Sequence, residues 1–271
     1  MAKTEDSDLD PSDDPESIIL RASRESVRIL DGARRRNTVL RLVGGLAIHI
    51  HCTEHSFCDR RYGDIDFVGL SSQYKSIVEV MKEVGYIENS NMTISTGGSR
   101  LLFEKPGSTK HIDVFMDHID IEHEVNLRKR LEIEKDTISI SDLLLIKLTI
   151  TRLNEKDIRD IITMMKDIQI GHDDFAGTIN MTYIAELCAK SWGLHHDVIA
   201  SVKRTLDFLP SYALSEDITS EVSSRLEALE NEILMAPKSL RWKLRALFGE
   251  KIPWRREIET TSVAFDTANE V

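Results

Sequence analysis

Ile18, Ile19, Ala22, Val27 and Leu30 fall roughly on one stripe, which predicts a helix over 15–31. An apolar run over 38–43 reads as a short strand. Gly44-Gly45 ends it, and a helix is expected over 46–52. A strand is expected around 64–68 and a helix over 73–84. Gly85 stops that helix, and an edge strand begins at 86–87. Two strand-like runs, 100–104 and 111–116, are separated by Pro106-Gly107-Ser108, a turn sequence, and so predict a hairpin. Ser139 or Ser141 is placed to cap a helix over 142–153. From 155 onward the pattern is helical, over 156–168, 182–190, 195–209, 220–235 and 239–248, with no internal repeat. Strand and helix alternate in the first half and helices dominate the second. The expected class is α+β: a small mixed sheet with flanking helices, then a helical C-terminal region.

Charge changes this picture at the ends. The 271 residues carry a formal net charge of −11. Residues 1–16 hold seven acids against Lys3 alone, a net of −6, leaving −5 for the rest. With one leucine and two prolines, that stretch cannot bury enough surface to offset its ordering entropy, and it reads as a solvated, disordered arm. The expected organisation is an acidic arm over 1–16, a catalytic domain over 17–135, a helical domain over 136–256 and a flexible tail over 257–271. The acidity argues against a sequence-blind binder of nucleic acid or anionic membrane. It does so only mildly once the arm is set aside, because Arg128, Lys129 and Arg130 with the basic 241–245 helix offer a local patch for RNA. The first residues show no basic n-region or apolar h-region, and no apolar stretch approaches a membrane span. Cys52, Cys58 and Cys188 are odd in number and sparse, so no disulfide framework is expected and a reducing cytoplasm fits.

Candidate chemistry lies in three pieces: Leu42-Val43-Gly44-Gly45, then Gly63-Asp64-Ile65-Asp66-Phe67, then His111-Ile112-Asp113-Val114. Side chains alternate on a strand, so Asp64 and Asp66 share a face, about 7 Å apart, while Ile65 and Phe67 turn to the core. Two carboxylates on one face repel unless a cation stands between them. Mg²⁺ takes oxygen ligands from a few carboxylates and substrate phosphate. Asp113 supplies a third acid if its strand lies beside the first. Three such acids suit two metals that activate a nucleophile and stabilise leaving pyrophosphate. Gly44-Gly45 at a strand-to-helix turn lets backbone approach a triphosphate, and the helix start offers free N–H donors.

In this order, the motifs resemble the nucleotidyltransferases of the DNA polymerase β superfamily, and in particular the branch of AbiEii-type toxin nucleotidyltransferases. The likeness runs over roughly 41–165. Gly44-Gly45-Leu46-Ala47 with His51 matches that branch's glycine motif, and Arg60 stands four residues before Asp64, as its arginine does. Tyr62 departs from the small hydroxyl residue found there. A run from Asp142 through Lys147 to Arg152, Lys156, Asp157 and Asp160 is similar to that branch's second motif. The resemblance implies that Asp64, Asp66 and Asp113 hold Mg²⁺ or Mn²⁺ and do the catalysis. It further implies that Gly44, Gly45, Arg60 and Lys147 bind the phosphates of a nucleoside triphosphate, with Asp157 or Asp160 in support. The implied reaction moves a nucleoside monophosphate to a hydroxyl of an RNA end such as tRNA, a protein or a small molecule. An antitoxin-like partner is implied too. The alternative is a catalytically silent binding module on the same fold.

His49, His51, Cys52, His55 and Cys58 crowd ten residues, but H-x-H-C-x2-H-x2-C fits no standard zinc finger. The expectation is that His51 ends its helix and the others line an exposed loop. Cys188 reads as core, His195-His196 as a helix start, and Arg34–Arg36 as a solvated connector. No coherent serine-nucleophile site or P-loop is present.

Overall fold

The computed structural model describes residues 15–58, 62, 64–108 and 111–256. Residues 1–14 of the acidic arm expected over 1–16, Arg60 and the tail over 257–271 lie outside the described residues, while residues 15 and 16 belong to the first helix rather than to the arm. The amphipathic stripe near the start forms α1 (Pro15–Arg35), which continues past the expected end to Arg34 and Arg35 in its last turn, where cations suit the helix dipole.

The apolar runs build one five-stranded sheet in the order β1-β2-β5-β4-β3. Its strands are β1 (Leu40–Val43), β2 (Ile65–Gly69), β3 (Ile87–Glu88), β4 (Arg100–Glu104) and β5 (His111–Met116). β2 and β5 pair in parallel, and the other neighbours are antiparallel, so the sheet is mixed as expected. Leu42, Phe67, Val114 and Leu101 stand in one row on one face, each fully buried. On that face a side chain at Gly69 would strike Ile77, which belongs to α4 (Tyr74–Glu83). The glycine lets the Ile77 side chain pack closely onto the strand.

Between β1 and β2 lie α2 (Gly44–His51) and the single turn α3 (His55–Cys58), and α5 (Ser90–Ser95) precedes β4. A small hairpin that the apolar pattern does not announce, β6 (His118–Asp120) with β7 (Glu124–Asn126), follows β5. The chain then returns to the sheet, where Thr137 bridges Leu42 in parallel.

α6 (Ile140–Leu148) is buried at every position, as expected of a helix that is apolar all round. Ser139 caps it by accepting from the Asp142 N–H, worth about 1 kcal/mol. Its charged residues are matched individually. Asp142 takes Arg130, Ser139 and the Tyr183 hydroxyl. Lys147 takes Asp157 and Asp160 from α7 (Glu155–Asp167). The remaining helices are α8 (Met181–Lys190), α9 (Trp192–Phe208), α10 (Glu216–Met235) and α11 (Leu240–Ala246). The second half also contains a parallel strand pair, β8 (Gln169–Gly171) and β9 (Thr178–Asn180), inside the region expected to be helical. These strands are three residues each, too short to leave a periodic trace. One apolar core runs from Ile19 to Ile233, across residues 135 and 136.

Candidate functional site

The site begins where β1 ends. Pairing places Val43 beside Asp66, and Asp66 beside Asp113, in one row across β1, β2 and β5. All three motifs therefore reach the same end of the sheet. Gly44 opens α2 at φ +80°, a left-handed conformation that favours glycine. A Cβ there would stand 3.2 Å from Asp66 Oδ2. The start of α2 thus lies directly over the Asp66 carboxylate. Its N-cap, Val43, contributes no side-chain hydrogen bond, so the first-turn N–H groups are not capped from there.

Asp66 and Asp113 are both buried, and Asp64 is half-buried. Burial, and then the charges of Asp113 and Asp64, push the Asp66 carboxyl well above the usual carboxylate range. Arg100 and Lys147 pull the other way and do not prevail. Arg100 grips Asp113 as a fork, with Nε on Oδ1 and Nη2 on Oδ2, each at 2.7 Å. Sequence reasoning missed Arg100, although a signal existed. A hairpin closing at Glu104 and His111 puts Leu102 opposite Asp113 and Arg100 two residues along on the same face.

Lys147 is buried, with Nζ 2.8 Å from Asp157 Oδ1 and 3.0 Å from Asp160 Oδ2. The structure thus brings Lys147, Asp157 and Asp160 together, and the lysine is engaged by two carboxylates. Asp157 also closes a capping box with Asn154 at the start of α7. Gly45, on the first turn of α2, is half-buried. His51 does end α2, and its Nε2 lies 2.9 Å from the Thr137 hydroxyl, which ties the helix to the returning chain.

Two expectations need correction. Cys52 and Cys58 form a disulfide, and both are buried rather than lining an exposed loop. Six residues apart, they meet because α3 folds back against the end of α2. The basic patch expected for RNA does not present Arg130. That side chain lies between Asp142 and Asp174, its guanidinium 3.5 Å from the centre of the Tyr183 ring. Arg128 sits 3.4 Å from Asp117, and the Arg245 guanidinium covers Trp192.

No protein-family model and no curated protein matches the chain. Over 53% of its length the chain is similar to the solution structure of the antibiotic-resistance factor ANT(2'')-Ia. It covers 82% of that protein at 13% identity, with a TM-score of 0.37. Over 79% of its length it is similar to the crystal structure of an antigenic nucleotidyltransferase-like protein from Paracoccidioides brasiliensis. There it covers 92% of that chain at 16% identity, with a TM-score of 0.39. No helix among the described residues is long and apolar enough to cross a membrane.

Proposed function

We propose that this protein is a metal-dependent nucleotidyltransferase that moves a nucleoside monophosphate from a nucleoside triphosphate to an acceptor hydroxyl, releasing pyrophosphate. The observation that carries the reading is the row Val43–Asp66–Asp113 with the left-handed Gly44 closing over Asp66. It sets a helix start suited to phosphate beside an acid cluster suited to divalent cations.

The acids fit such cations. Asp66 is buried beside two further carboxylates, and a positive charge among them relieves the repulsion that raises its carboxyl. Asp64 and Asp66 would hold Mg²⁺ or Mn²⁺, with Asp113 as the third ligand once it yields one of its two bonds to Arg100. The ions would supply the charge that activates the acceptor oxygen and stabilises leaving pyrophosphate. The N–H groups of α2 near Gly44 and Gly45 would receive the triphosphate, joined by Arg60 from outside the described residues. Asp113 would help take the acceptor's proton. Lys147, held by Asp157 and Asp160, would act on the phosphates by its charge rather than by direct contact.

The acceptor is an RNA end, a protein or a small molecule; membership of the AbiEii-like branch, with an antitoxin-like partner, belongs to the same reading. Labelled nucleoside triphosphates offered with total RNA, cell lysate and small hydroxyl compounds test it. Transfer is expected with the wild-type chain and not with the chain carrying Asp64→Asn and Asp66→Asn. Equal transfer by both ends the proposal.

One observation favours the silent-module reading: both Asp113 oxygens are occupied by Arg100. Calorimetry with Mg²⁺-nucleotide, beside a pyrophosphate-release assay, separates the two. Binding without release supports the module.

A further inference from the structure

A histidine–cysteine cluster among the described residues takes no part in nucleotidyl transfer. One ligand atom each from His49, His55 and Cys58 lies within 4.8 Å of the others, and Cys58 is bonded to Cys52. His49 Nδ1 is 3.7 Å from Cys58 Sγ. A tetrahedral zinc ion with ordinary Zn–S and Zn–N lengths puts those two atoms about 3.6 Å apart. His49, Cys52 and Cys58 are buried, while His55 is exposed at the rim. A disulfide by itself gives no reason for two imidazoles to gather at the Cys58 sulfur. A borderline-soft divalent cation does, because nitrogen and thiolate are the ligands it selects over carboxylate.

We propose that in the reduced protein Cys52, Cys58, His49 and His55 form a zinc site, for which the Cys52–Cys58 disulfide is the metal-free, oxidised form. A dithiol reductant gives two electrons to the sulfur–sulfur bond and two protons to the sulfurs, itself becoming a disulfide. Zinc then displaces the two thiol protons as it binds the thiolates.

The surroundings fix the ligands. Tyr62 donates from its hydroxyl to the Cys58 carbonyl at 2.6 Å, and its ring centre is 5.1 Å from that of His49. The Thr53 N–H donates to Asp167, and Arg159 donates to the Phe57 carbonyl, both at 2.8 Å, so the loop is anchored on α7. The proposal does not depend on nucleotidyl transfer.

The test is titration of the reduced, metal-stripped full chain with Co²⁺ and with Zn²⁺ against a chromophoric chelator. Expected are one ion per chain, a thiolate-to-cobalt charge-transfer band and tetrahedral ligand-field bands. His55→Ala removes an exposed side chain and leaves the core intact. It is expected to weaken binding by more than the roughly 10–100-fold that loss of an outer partner costs. Cys58→Ser weakens the charge-transfer band, Cys52→Ser with Cys58→Ser abolishes it, and the oxidised chain binds neither ion. Reduced wild type that binds no better than His55→Ala, or an oxidised chain that binds as well as the reduced one, overturns the proposal.

Discussion

Asp66 and Asp113 stand directly opposite each other on the adjacent parallel strands β2 and β5, both buried, and Arg100 donates its forked hydrogen bonds to Asp113. That asymmetry leaves Asp66 as the more strained acid and sets the first expectation. Asp66→Asn keeps the shape and removes the ionisation that burial and the neighbouring acids oppose, so it should raise Tm by a few degrees, ~1 kcal/mol being worth about 2–4 °C at this size. The same change should lower nucleotidyl transfer by at least about 100-fold. Thermal melts beside a transfer assay check both. A variant that melts lower and transfers normally contradicts this account.

Arg100→Ala leaves Asp113 buried with an uncompensated charge and is expected to cost roughly 1–3 kcal/mol. Divalent cation should then stabilise the variant more than the wild type, because the guanidinium no longer competes for the Asp113 oxygens. Melting curves with and without Mg²⁺ measure the difference.

Lys147→Met deserts two buried carboxylates, Asp157 and Asp160. The expected loss is about 3–5 kcal/mol, read as a fall in the urea midpoint. Adding Asp160→Asn to it should recover part of that loss, since one of the stranded charges is removed. Additive losses in the double variant would count against a coupled cluster.

Gly44→Ala forces a Cβ into the left-handed region and to 3.2 Å from Asp66 Oδ2. A cost of about 1–2 kcal/mol in stability is expected, with a larger relative effect on nucleotide affinity. Gly85 also has positive φ, but a Cβ there meets nothing within 4 Å. Gly85→Ala should therefore weaken stability and spare nucleotide binding, which calorimetry resolves.

Acid stability should centre on Asp197. Burial pushes its carboxyl up, but hydrogen bonds from His123, His196 and Trp254, with the Arg255 charge, outweigh it and bring it down to about 2. A depressed carboxyl contributes stability above its unfolded value of about 3.9, and that contribution is lost as pH falls toward the folded value. Asp197→Asn should flatten the decline in Tm between about pH 4 and pH 2. An unchanged acid limb would remove Asp197 as its source.

The order Gly44-Gly45, Asp64-x-Asp66, Asp113 was legible because strand alternation and turn chemistry are local. The hairpin 100–104 and 111–116 emerged with its expected bounds for the same reason. The cap of α6 was readable too, as a hydroxyl before an apolar run, with Ser139 rather than Ser141 taking the role. The tertiary fold decided what depends on distant pairing. It set Asp66 beside Asp113, gave Arg100 to Asp113, and enclosed Lys147 between Asp157 and Asp160. It also withdrew Arg130 from the surface and folded Cys58 onto Cys52 and His49. Those outcomes turn on register and helix packing, in which one residue's shift redirects a side chain to the opposite face. The sequence alone determined which chemistry was available; the long-range packing determined which of those groups meet.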